Sequence, residues 1–142
     1  MNCFYCEKGE KLNELMIPVC TLSRSVVYLV RNQNFPGRCV VCFQDHKTEL
    51  FQLTEEERNG FMKDVADTAK AIWDIFTPDK LNYGVYGDGV PHFHVHVIPK
   101  HKDGYCWGGT FDLNGNADYL SEEKLEARAA LIRDYIKRQA GQ

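Results

Sequence analysis

The chain has 142 residues, 44% of them apolar, with a formal net charge of −3 and a pI of about 5.9. That length fits a single domain, residues 1–142, with enough apolar material for a core. The balance excludes the basic stripe of a nonspecific DNA or RNA binder, so no nucleic-acid partner is expected, yet a locally basic pocket for a small anion is compatible with it.

In chain order, residues 26–30 (VVYLV) are short and β-branched and predict a buried strand. Residues 32–37 carry Pro36 and Gly37 and predict a reversal. Residues 38–44 (RCVVCFQ) then give a second strand, antiparallel to the first. Thr54 followed by Glu57 has the form of a capping box. The helix it opens places Phe61, Val65, Ala69, Ile72, Trp73 and Phe76 at spacings of three and four, and Pro78 ends it. Trp73 is expected in the core rather than as a stacking platform. Residues 80–86 form a third strand, 87–91 a turn, and 92–98 (HFHVHVI) a fourth strand. Residues 104–115, rich in glycine and aromatics, read as a loop. Ser121 caps a last helix with Leu125, Ala129, Ile132 and Ile136 on its inner face. Tight-turned strands with a crossing helix and a C-terminal helix make an α+β domain, an antiparallel sheet with helices on one face.

No apolar run approaches a membrane span, and residues 1–6 lack the basic start and apolar core of a signal peptide. The expectation is a cytoplasmic protein with no membrane partner. There, six cysteines point to thiols or metal ligands rather than disulfides.

The strand at 92–98 is the most informative stretch. Side chains alternate along a strand, so His92, His94 and His96 share one face while Phe93, Val95 and Val97 share the other. A row of imidazoles on a rigid strand suits either a metal site or a nucleophile flanked by helpers. Packing alone explains it poorly, because three buried imidazoles repel when charged and each needs partners when neutral.

The alternation of histidine with apolar residues resembles the signature of the histidine triad family of nucleotide hydrolases and transferases. Residues 27–41 resemble the family's first hairpin, Pro36-Gly37 included, Asp45-His46 follows the second strand, and Pro99-Lys100 follows the motif. About two thirds of the chain takes part in this resemblance. It implies a histidine-triad fold and a commonly two-fold homodimer. It also implies attack by Nε2 of His94 on the α-phosphorus of a nucleoside phosphate, giving a nucleotidyl-histidine intermediate. Dinucleoside polyphosphates, phosphoramidates and nucleotide sugars all remain open as substrates, as does transfer instead of hydrolysis. The main-chain carbonyl of His92 would hold the Nδ1 proton of His94, and His96 would serve the leaving group. No divalent metal belongs to the catalytic set. For ribose, the end of the first strand offers Arg31 and Asn32, of which Asn32 is favoured, although it is equally an ordinary turn residue. The chain departs from the family before the triad: residues 86–91 (YGDGVP) replace a Gly-Gln-Ser/Thr segment that touches phosphate. Asn82 is a weak substitute.

Cys3 and Cys6 stand at a metal-ligand spacing. Zinc-containing members of the family join such a pair to two histidines, which correspond here to His46 and His92. The resemblance therefore implies a closed, structural Zn2+ site on Cys3, Cys6, His46 and His92. Cys39 and Cys42 are a rival pair, but three residues apart on a strand they face opposite ways. Cys20 and Cys106 read as core or loop residues. Two other functions are carried forward: a non-catalytic zinc- and nucleotide-binding regulatory module, and a redox sensor built on the cysteine pairs.

Overall fold

Alternating burial along the strands sets the architecture. In the computed structural model, which describes residues 3–140, strand β1 (Met16–Thr21) pairs antiparallel with β2 (Ser25–Val30), and β2 with β3 (Cys39–Phe43). Strand β4 (Lys80–Gly84) forms a hairpin with β5 (His94–Lys100), and β5 docks against β3. The result is one antiparallel sheet of order β1-β2-β3-β5-β4.

Helix α3 (Glu55–Phe76) makes the crossing from β3 to β4, and α4 (Glu122–Ala140) closes the fold. Both cover the face that carries Val27, Leu29, Val41, Val95 and Val97, burying Phe61, Val65, Ile72, Leu125 and Ile132 against it. Thr54 caps α3 as expected, its hydroxyl accepting from the Glu57 amide while the Glu57 carboxylate accepts from the Thr54 amide. Ser121 likewise accepts from the Lys124 amide at the start of α4.

The structure corrects several expectations. The chain starts with two short helices, α1 (Phe4–Glu7) and α2 (Glu10–Leu15), followed by the edge strand β1, none of which periodicity announced. These helices place Cys3, Tyr5 and Leu12 on the opposite face of the sheet, against Tyr28, Val30, Val40 and Cys42. Helices therefore lie on both faces. Strand β4 stops at Gly84 rather than residue 86, and β5 begins at His94 rather than His92, since Phe93 bonds instead to the main chain of Lys47 and Phe43. Helix α3 ends at Phe76 with Thr77 in a left-handed cap, one residue before Pro78. Trp73 is 44% exposed, because it lies at the edge of the buried stripe of α3, to one side of Ala69 and Ile72. Cys39 and Cys42 do point to opposite faces.

The turn from β2 to β3 positions part of the site. Gly37 there has φ +95°, and a Cβ would fall 2.6 Å from the Phe76 ring at the end of α3. Only glycine meets both demands without strain.

Candidate active site and metal cluster

The register of β3 with β5 sets the histidine face. Cys42 pairs with His94 and Val40 with His96, so both imidazoles stand over the sheet beside buried apolar neighbours. His94 is 6% exposed and His96 9%. The Nδ1–H of His94 donates to the main-chain carbonyl of His92 at 2.5 Å. A carbonyl oxygen cannot donate, so this contact fixes the tautomer and leaves Nε2 with a lone pair. Burial lowers the pKa of His94, keeping the ring neutral at neutral pH. His96 is pushed down to about 3, mainly by burial and further by the neighbouring His94 and Arg38, and its Nδ1 is buried with no partner.

A cavity of about 320 Å³ opens over these rings. Its apolar lining is Phe4, Leu15, Met16, Val30 and Val40, and its polar lining includes Asn32, Arg38, His94 and His96. Leu113, Asn114 and Tyr119 from the long loop before α4 close it. Tyr5 forms another wall, its ring 5.1 Å from that of His94 and 5.5 Å from that of His92, centre to centre. An apolar slot with a few converging polar groups is the usual form of a small-molecule site.

The expected ribose residues separate here. Asn32 lines the cavity, and its Oδ1 accepts from the amides of Asn34 and Asp118. Arg31 turns away, pairing with Glu122 at 2.6 Å and bonding the carbonyl of Asn13. Asn82, on β4, pairs with Ile98 of β5 and is not among the residues lining the cavity. Tyr5 and Arg38 were not singled out from sequence.

Next to this cavity, Cys3, Cys6, His46 and His92 bring one ligand atom each within 4.8 Å of one another. The Nδ1 of His92 lies 3.3 Å from Cys3 Sγ, 3.4 Å from Cys6 Sγ and 3.3 Å from the Nδ1 of His46, which is 3.3 Å from Cys6 Sγ. A tetrahedron with zinc–sulfur and zinc–nitrogen bonds of ordinary length has S···N edges of about 3.6 Å and N···N edges of about 3.4 Å. The cluster thus has the dimensions of an S2N2 site. His92 is oriented for it: its Nε2–H donates to the Phe43 carbonyl at 2.7 Å, which presents Nδ1 as a bare lone pair. Burial also lowers the pKa of His92, favouring the neutral form that ligates.

Residues 18–103 match the HIT domain family. The chain belongs to the histidine triad (HIT) family. Among curated relatives, it is 27% identical over 103 residues to Protein hit of Bacillus subtilis, covering 69% of this chain and 70% of that protein. It is 32% identical over 72 residues to an asymmetrical bis(5'-nucleosyl)-tetraphosphatase of Schizosaccharomyces pombe, covering 47% of this chain and 40% of that enzyme. Among solved structures, a zinc-bound histidine triad family protein from Mycobacterium smegmatis superposes with a TM-score of 0.69 at 16% identity, covering 99% of this chain and 97% of that one. Its likeness lies in the fold. Among the described residues of this HIT chain, no helix is long and apolar enough to cross a membrane.

Proposed function

We propose that this HIT protein is a nucleotide hydrolase or nucleotidyltransferase that works through a covalent nucleotidyl intermediate on His94. The observation that carries the reading is the contact of His94 Nδ1–H with the His92 carbonyl, which reserves Nε2 of a cavity-lining ring for attack. HIT family membership and the likeness to the tetraphosphatase support nucleoside phosphates as the substrate class.

The Nε2 lone pair forms a bond to the α-phosphorus while the bond from that phosphorus to the leaving group breaks. The proton stays on Nδ1, hydrogen-bonded to the His92 carbonyl, which stabilises the imidazolium that develops. His96 donates its hydrogen bond to the phosphate or the departing atom. It is neutral in the free protein, and an arriving phosphate anion raises its affinity for a proton. Water then attacks the phosphorus from the vacated side, the nitrogen–phosphorus bond breaks, and a nucleoside monophosphate leaves. A phosphate acceptor in place of water gives transfer. The base packs against the apolar lining of the cavity, and Asn32, its Oδ1 already bonded, offers Nδ2 to a ribose hydroxyl.

Zinc on Cys3, Cys6, His46 and His92 fits this scheme as a closed four-ligand site, which would supply a cross-link between α1 and the strand of the nucleophile. The likeness to a zinc-bound family member supports that choice of ion.

The test is intact-mass analysis of wild type and His94→Ala, quenched during incubation with adenosine and guanosine phosphoramidates and dinucleoside polyphosphates. The expected result is a nucleoside monophosphate adduct on wild type and none on His94→Ala. Neither adduct nor turnover across the panel would overturn the reading in favour of a non-catalytic zinc- and nucleotide-binding module.

A further inference from the structure

Among the described residues, one buried cation that lines the cavity has no counter-ion. Arg38 is 4% exposed. None of the ion pairs among the described residues includes it. Its Nη1 donates to the Asn34 side-chain oxygen at 2.8 Å and to the Leu113 carbonyl at 2.7 Å, and its Nε has no partner. Both acceptors are neutral. A guanidinium taken from water and left without an anion is costly, which makes the position a destabilising one unless something else requires it. Burial even lowers its pKa to about 10, which still leaves it charged at neutral pH.

The place of this charge says what it waits for. Arg38 lines the same cavity as His94 and His96, and it precedes by two residues Val40, the partner of His96 across the sheet. The turn at 86–91 brings Tyr86, Gly89 and Val90 to the cavity and no cationic side chain. Guanidinium groups match phosphate oxygens with two parallel N–H bonds, and the edge left over on Arg38, Nε with Nη2, is of that kind.

Resting on the nucleotide reading above, we propose that Arg38 is the phosphate-binding cation of this site: its guanidinium holds the non-reacting oxygens of the phosphate attacked by His94. An anion there neutralises the buried charge and spreads the negative charge that the transition state must carry. Substrate binding and relief of an unfavourable charge then coincide, so the site discriminates for phosphate over the bare nucleoside.

Calorimetric titration of adenosine, AMP, guanosine and GMP at fixed ionic strength tests this in wild type, Arg38→Met and Arg38→Lys. Wild type is expected to prefer a monophosphate over its nucleoside. Arg38→Met should lose about 10- to 100-fold in monophosphate affinity, the scale of charge-assisted hydrogen bonds, and keep its nucleoside affinity. Arg38→Lys should retain part of the preference. A purely structural role, pinning residues 113 and 34, would instead weaken nucleoside and monophosphate alike, and that result overturns the proposal, as does unchanged affinity for both. Should Arg38→Met fail to fold, the nitrogen-15 resonance of Arg38 Nε, assigned by its absence in Arg38→Lys, decides: it should shift with AMP and not with adenosine, and a resonance that ignores AMP overturns the assignment. Wild type that binds none of the four compounds overturns the nucleotide reading itself, before any substitution is made.

Discussion

One face of the sheet carries Val27, Leu29, Val41, Val95 and Val97 under two helices of 22 and 19 residues. The other carries Tyr28, Val40, Cys42, His94 and His96 under helices of four and six residues and an irregular loop. The first is closed mainly by apolar burial, with the buried Asp64 of α3 accepting from the Ser25 hydroxyl and the Arg24 amide. The second is covered by pieces too short to be helical by themselves, since isolated helices below about 12 residues are marginal in water. It also buries three imidazoles and a guanidinium that, among the described residues, has no ion pair. Stability thus concentrates on one side and the proposed chemistry on the other, where the proposed zinc would brace the weaker cover.

The largest effect should come from the apolar side. Phe61 is fully buried, its ring centre 5.8 Å from that of Phe43 and 5.4 Å from that of Phe93. Phe61→Ala should cost about 3–5 kcal/mol in denaturant unfolding. A loss below about 1 kcal/mol would mean that this face is not the main source of stability.

Metal removal should act on the other side. Chelation, or Cys6→Ser, is expected to speed amide hydrogen exchange in residues 3–15 and to leave the amides of α3 and α4 slow. Tyr5, flanked by Cys3 and Cys6, should loosen with them, which tyrosine fluorescence would register. Uniform acceleration on both sides would break the comparison, because the cross-link would then support the whole fold.

Acid should also reach the histidine face first. The His96 ring has a native pKa of about 3, against about 6.5 when unfolded. The unfolded chain therefore binds the extra proton between those values, and stability falls as pH drops from about 6.5 toward 3. His92 and His94, also lowered by burial, add in the same direction. Carboxylates titrate in part of this window, so the measurement is a difference: the decline in melting temperature from pH 6.5 to 4.5 should be shallower in His96→Asn than in wild type. Parallel profiles would show that this burial is not felt.

How far the sequence foretold this division depends on element length. The crossing helix and β2, β3 and β5 were legible because each repeats its period several times, and because Thr54 and Ser121 mark helix starts chemically. The ligand set Cys3, Cys6, His46 and His92 was reached through family resemblance, and the four side chains do converge. Strand β1 was hidden by Pro18 and by a bulge between Pro18 and Cys20, both tolerated at a sheet edge. Helices α1 and α2 have too few turns to show a period. Trp73 misled because an amphipathic stripe fixes a direction and not its width. Arg38 passed as the first residue of a strand, since a side chain lacking a counter-ion is visible only once its surroundings are known.

The smallest effect tests where the two sides meet. Gly37 rests on Phe76 at the end of α3, while the same turn delivers Asn32 and Arg38 to the cavity. Gly37→Ala places a Cβ at positive φ and against that ring, for a cost of about 1–2 kcal/mol. If the faces were independent, that would be the whole effect. The turn is continuous, however, and α3 is anchored along its length in the apolar core, so the displacement has to be taken up by the strand-end residues rather than the helix. Ligand affinity should therefore fall along with melting temperature, and the loss should be larger for a nucleoside monophosphate than for a nucleoside. An unchanged affinity in a destabilised Gly37→Ala would show that the turn flexes without moving Arg38, and that the apolar side supports the site only by keeping the sheet folded.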